Sequence, residues 1–207
     1  MQYAGYVFFL LVLNSSMNAQ QLRGEYRLRG VQDAASAFTF TPEGRFEFFF
    51  MYGAVDRFAE GTYTIENDTI KLKSSKEPGN DFPVTFQSRK GRTYRIKVKD
   101  PNPYLASSVM CLYFTEGVEQ VAYPDDEGLI EIPSAKVDQI YLIHQLYPDI
   151  ASMIKDTGNT NNNFEVSLSP DLAKVSFKGI DFFLEGKSIT CHPNYFLPFE
   201  QIRYTKD

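Results

Sequence analysis

The sequence predicts an all-β protein, in which an antiparallel meander or partial barrel is followed by a β-sandwich. Three observations carry this reading. The 207 residues include 13 Tyr and 18 Phe but no Trp, and aromatic side chains suit a pleated, half-buried surface. Short alternating apolar runs recur between clusters of Gly, Pro, Asn and Asp, and no long stretch repeats with a helical period. Two successive hairpins can also be registered residue by residue from their turn chemistry.

The first of these turns at Thr41-Pro42-Glu43-Gly44, with Pro where φ must lie near −65° and Gly where the chain goes left-handed. Placing Thr41 opposite Arg45 sets Phe40 opposite Phe46 and Phe38 opposite Phe48, so four rings share one face. The second turns at Asn67-Asp68, two residues that tolerate positive φ. Ile65 then faces Ile70, and Tyr63 faces Leu72. A slip of one residue would scramble both patterns. Phe49 and Met51 fall on the otherwise polar face. They predict either a strand covered on both sides or an apolar contact patch.

Upstream, the first nineteen residues lack Lys, Arg, Asp and Glu, and Tyr6 to Leu13 is apolar. This pattern predicts a signal peptide over residues 1–19, cleaved near Ala19 or Gln20, and export to a periplasm or the exterior. The run is too short to cross a bilayer, which takes about 20 residues, so no membrane span is expected after its removal.

Residues 20–90 are expected to form the meander domain. Leu22 to Leu28 reads as an opening strand with a bulge at Gly24, and Phe82 to Phe86 as a closing one. The charged, Gly-containing Ser88-Arg89-Lys90-Gly91 is the expected boundary. Residues 91–207 are expected to form the sandwich. Tyr94, Ile96 and Val98 alternate with Arg95, Lys97 and Lys99. Val109 to Phe114 is apolar on both faces and so central. Gln139 to Leu146 reads as a strand. Ile150 to Lys155 fits either a helix capped by Asp149, through Ile150, Met153 and Ile154, or a strand, through Ile150, Ser152 and Ile154, and the strand is favoured. Phe164 to Leu168, Val175-Phe177, Phe182-Leu184, Ser188 to Cys191 and Ile202-Tyr204 read as the later strands.

Across Phe38-x-Phe40-x-Pro42-x-Gly44-Arg45-Phe46, Tyr52-Gly53-Ala54-Val55-Asp56-Arg57 and Gly61-x-Tyr63, the chain resembles a group of uncharacterised bacterial exported proteins. Asn163-Phe164-x-Val166-x-Leu168, Phe177 and Phe182-x-Leu184-x-Gly186 are similar to that group's second half. The resemblance implies a lipocalin-like meander and an immunoglobulin- or prealbumin-like sandwich. Its motifs are turn and core residues, and it implies no activity. Tyr63 stands where the group commonly has Trp.

The chemistry is sparse. A net charge of −5 and a pI near 5.2, with Lys and Arg scattered, argue against a nucleic-acid partner. Cys111 and Cys191 are expected either to form a disulfide within the sandwich or to be two separately buried thiols. A metal site is not expected, because the adjacent Cys191 and His192 point to opposite faces of a strand. His144 lies inside an apolar strand and reads as a half-buried residue rather than a base. No phosphate loop, nucleophile elbow or zinc-protease motif occurs, and no cofactor is expected. Asp125-Asp126-Glu127-Gly128 reads as a solvated turn.

The reading that follows is an exported, non-enzymatic binding or interaction module, whose partner is a protein or a small apolar ligand of the cell envelope. Phe49, Met51, Tyr52, Asp56 and Arg57 are its candidate ligand-binding residues. One alternative is a carrier holding a small apolar ligand within the aromatic meander. Another is a glycan hydrolase, which needs two carboxyls about 5–10 Å apart in a cleft.

Overall fold

The structure, a computed structural model, describes residues 21–206. The expected signal peptide lies outside the described residues. The first five strands are β1 (Gly24–Arg29), β2 (Ala34–Phe40), β3 (Arg45–Tyr52), β4 (Val55–Glu66) and β5 (Thr69–Ser74). They form the meander with the register read from the sequence: Phe40 pairs with Phe46, Phe38 with Phe48, Tyr63 with Leu72 and Ile65 with Ile70. Gly44, Asn67 and Asp68 all adopt positive φ, as their turns require. Gly61 is needed for a different reason. A Cβ there would lie 2.0 Å from the Lys73 carbonyl oxygen, so only glycine lets the β5 backbone approach β4 this closely.

The chain then leaves this sheet. It forms β6 (Val84–Ser88), β7 (Tyr94–Lys99), a helical turn α1 (Pro103–Ser107), β8 (Val109–Thr115), β9 (Val118–Ala122), β10 (Leu129–Ile132), β11 (Gln139–His144), β12 (Ser152–Lys155) and β13 (Asn163–Ser167). These make two four-stranded sheets, in the orders β10-β7-β13-β6 and β12-β11-β8-β9. Ile96, Val98, Ile130 and Val166 of one sheet and Val109, Cys111, Ile140 and Leu142 of the other share one buried cluster. As expected, Val109 to Phe114 lies on an interior strand.

The last three strands, β14 (Asp181–Glu185), β15 (Ser188–Cys191) and β16 (Ile202–Lys206), return to the first sheet. They close it into an eight-stranded antiparallel barrel, in the order β1-β16-β15-β14-β5-β4-β3-β2. Two expectations about organisation therefore change. The excursion begins before β6, which pairs with β13, rather than at residues 88–91. Residues 181–206 belong to the barrel and not to the second unit. The physical reason is that an open five-stranded meander leaves two edges unpaired, and closure removes both.

Rings fill the barrel. Phe38 is fully buried against Phe40, Phe48, Phe182 and Tyr204, with centroids 4.6 to 5.6 Å apart. Residues 175–177, expected as a strand, form a loop instead, and its Phe177 enters the barrel. Its ring lies 5.1 to 5.8 Å from those of Phe38, Phe46, Phe48, Phe182 and Phe196. Phe177 takes φ 57°, a conformation that costs a non-glycine residue of order 1–3 kcal/mol and that this packing holds in place.

Candidate functional site

Even-numbered residues of β3 point into the barrel and odd-numbered ones point out, as the two-residue period of a strand dictates. The five candidate residues are thereby divided. Tyr52 and the inward-facing Arg57 meet at the barrel mouth, whereas Phe49, Met51 and Asp56 lie on the outer wall. Phe49 and Met51 are 40% and 48% exposed, so this strand is not covered on both sides.

The mouth holds a cleft of about 250 Å³. Phe50, Tyr52 and Val55 of the β3–β4 hairpin form one wall, Leu146 and Pro148 after β11 another, and Phe196 and Pro198 between β15 and β16 the third. Three segments distant in sequence thus build one apolar depression where the barrel meets the two sheets. Arg57 closes its base. Its guanidinium sits 5.7 Å from the centre of the Phe196 ring, donates to the carbonyls of Pro148 and Lys174, and lies 3.8 Å from Asp149.

Below the cleft is a buried charged cluster that holds the barrel to the second unit. Lys76 Nζ lies 3.0 Å from Asp149 Oδ2, and it donates to Asp81 Oδ2 at 3.1 Å and to the Lys174 carbonyl at 2.9 Å. Asp149 also accepts from Ser176 Oγ at 2.6 Å, the Ser176 amide at 3.1 Å, the Ile150 amide at 2.7 Å and Tyr195 Oη at 3.2 Å. Two cations and two anions balance, but Arg57 Nε has no hydrogen-bond partner among the described residues and Asp81 Oδ1 meets only the Lys76 ammonium, at 2.9 Å.

The two aspartates differ. Burial pushes the Asp149 carboxyl up, but the Ser176 hydrogen bonds and Lys76 outweigh it and leave it below the usual range. For Asp81 burial prevails over Lys76, and the carboxyl is raised. Burial lowers Arg57, against the pull of Asp149.

Asp81 and Asp149 are the carboxylate pair nearest to the hydrolase reading, since both contact one ammonium. Their side chains are 5% and 0% exposed, and protein donors occupy them. They present no oxygen to a substrate in the cleft.

The remaining candidates lie apart. Cys111 is in the core between the two sheets and Cys191 in the barrel core, both as free thiols. A disulfide is thus replaced by two separate buried thiols, each pushed up to about 12 by burial. His144 is buried. Its Nε2 bonds the Leu105 carbonyl, and its Nδ1 accepts from the amides of Leu146 and Tyr147. Burial lowers it to about 4, which fits a neutral structural imidazole. His192 packs on Phe183.

Sequence reasoning missed Lys76, Asp149, Leu146 and the 195–198 loop. The available signal was Tyr195-Phe196-Leu197-Pro198-Phe199, which is too apolar for a solvated connection. Compared with family models, with curated proteins and with solved structures, the chain matches none.

Proposed function

We propose that this protein is an exported, non-enzymatic binding module that receives a small apolar group in the cleft at the barrel mouth. The observation that carries the reading is the cleft itself, apolar-walled and set between two units that a balanced charge cluster clamps together. A preformed site avoids the ordering cost of binding. Its volume of about 250 Å³ is below the roughly 300–1,000 Å³ of drug-sized sites, which favours a single ring, a short acyl chain or one apolar side chain of a partner protein. The aromatic interior of the barrel is occupied by its own rings, so the carrier reading moves from the meander's inside to its mouth. Export rests on the uncharged apolar N-terminal stretch. In the same proposal the barrel is lipocalin-like, and the excursion is an immunoglobulin- or prealbumin-like sandwich, supported by two sheets that share one core.

Titration with indole, followed by NMR, tests the site. Shifts should cluster at Tyr52, Leu146 and Phe196 and disappear in Val55→Trp, whose larger side chain fills the cleft. Shifts scattered over the surface, or unchanged in Val55→Trp, would refute the assignment.

A further inference from the structure

The outer wall of the barrel carries a surface that the cleft does not explain. On it Phe49 pairs directly with Phe58 across β3 and β4, and Met51 lies one outward position along. Phe58 and Met51 are each 48% exposed. At the next outward position, on the side away from Met51, Glu47 stands opposite Glu60. Like charges directly opposed on a ladder are destabilising, and neither glutamate forms an ion pair among the described residues. Asp56 pairs with Met51 and carries the acidity to the other side of the rings. Arg45 and Lys73 lie farther out, each paired with Thr62. Lys174 bridges to Phe58 on its far side, with its ammonium 2.9 Å from Asp171, and so adds no net charge. The result is an apolar ridge on the barrel's outer wall whose border charges left unpaired among the described residues, Glu47, Glu60 and Asp56, are acidic.

The complementary surface is on the same chain, in a stretch where its otherwise scattered basic residues run together. Arg89, Lys90, Arg92, Arg95, Lys97 and Lys99 follow one another with no Asp or Glu between them. Arg95, Lys97 and Lys99 pair with Glu131, Glu127 and Glu165. Arg89, Lys90 and Arg92 form no ion pair among the described residues. Lys90 lines a shallow concavity of about 640 Å³ on the outer face of the β10-β7-β13-β6 sheet, with Arg95, Lys97, Leu129 and Phe86. Glu127 and Glu165 in the same lining are taken up by Lys97 and Lys99, and Arg89 and Arg92 flank Lys90 in the chain, so the uncompensated charge at this rim is positive. Phe86 is 54% exposed on β6, an edge strand. Unprotected edges with exposed apolar residues invite association.

We propose that these two faces bind each other between copies of the chain, the acidic, ring-bearing ridge of one copy seating in the basic concavity of the next. Shape and charge both match, and the exposed Phe49 and Phe58 meet Phe86. The faces are different, so the contact is heterologous and propagates head to tail, as a ring or an open filament, rather than closing as a two-fold dimer. Charge on the two borders makes the association strongest at low salt.

Sedimentation velocity over a concentration series tests this. The wild-type chain should form species larger than a monomer as concentration rises, and fewer when salt is added. Phe58→Glu and Phe86→Glu each disable one face and should be monomeric alone. Mixed together they retain one working face each, so they should form a one-to-one complex and nothing larger. Both positions are exposed, so cooperative melting should be retained; should Phe58→Glu melt without cooperativity, Met51→Glu takes its place. A wild-type monomer at millimolar concentration and low salt, association that survives in either single variant, or a mixture that stays monomeric would overturn the proposal.

Discussion

The barrel and the two-sheet excursion solve the same burial problem with different side chains. Inside the barrel, Phe38, Phe40, Phe46, Phe48, Phe177, Phe182 and Tyr204 fill a closed interior. Between the two sheets the buried residues are mainly Ile, Val and Leu. A closed eight-stranded barrel has a wide interior that large side chains must fill, whereas the smaller core that the two four-stranded sheets share is filled mostly by branched aliphatics. The difference teaches where each core gets its residues. The barrel draws on both ends of the described chain, and Ser36 Oγ bonds Tyr204 Oη across 168 positions. The excursion is built from residues 82 to 168 alone.

Substitutions that break one core and spare the other sharpen this contrast. Phe177→Ala removes the ring that plugs the barrel and should cost about 3–5 kcal/mol in a urea titration. Its damage should fall on Tyr204 and Phe38 signals and leave Ile140 signals in place. Asp149→Ala strikes the junction instead. It leaves Lys76 and Arg57 buried without their shared anion, at a cost of about 3–5 kcal/mol. Calorimetry should then show the single transition divide in two, one for each core. If the transition stays single, the charged cluster is not what couples the units.

His144 gives the excursion its own acid sensitivity. Burial holds its folded-state value at about 4, below the ordinary 6.5, and a proton on Nδ1 would face the amides of Leu146 and Tyr147. Its contribution is therefore complete above pH 6.5 and is lost as pH falls from there through about 4. The slope approaches 1.4 kcal/mol per pH unit, roughly one proton's worth. His144→Asn should lose less stability than wild type over that window, measured by urea midpoints. Asp81 is present in both proteins, so its opposite tendency cancels from the comparison. The smallest effect expected is that of Ile140→Val, about 0.5–1.5 kcal/mol, confined to the excursion.

The same contrast explains what was legible in the sequence. Pro42, Gly44, Asn67 and Asp68 set φ at fixed positions, so both early hairpins and the four-ring face could be derived locally. Closure could not. Phe182-Leu184 and Ile189 alternate as sandwich strands would, and nothing local says which sheet they join. The site was half legible for a similar reason. Tyr52 and Arg57 lie in a segment whose register was known, whereas Asp149 follows Tyr147-Pro148 and offers, in the local sequence, only a cap to a helix that does not form. Its role depends on Lys76 and Ser176, which reach it only in the closed fold.

Native-state hydrogen exchange, read amide by amide, tests the central claim that the chain's two ends share one core. The amides of Phe38, Phe48, Ile189 and Tyr204 should open with a common free energy, and Phe177→Ala should lower all four together while sparing Ile140 and Leu142. If instead Ile189 and Tyr204 exchanged in step with Ile140, and were untouched by Phe177→Ala, residues 181–206 would belong to the excursion and the barrel described here would not exist.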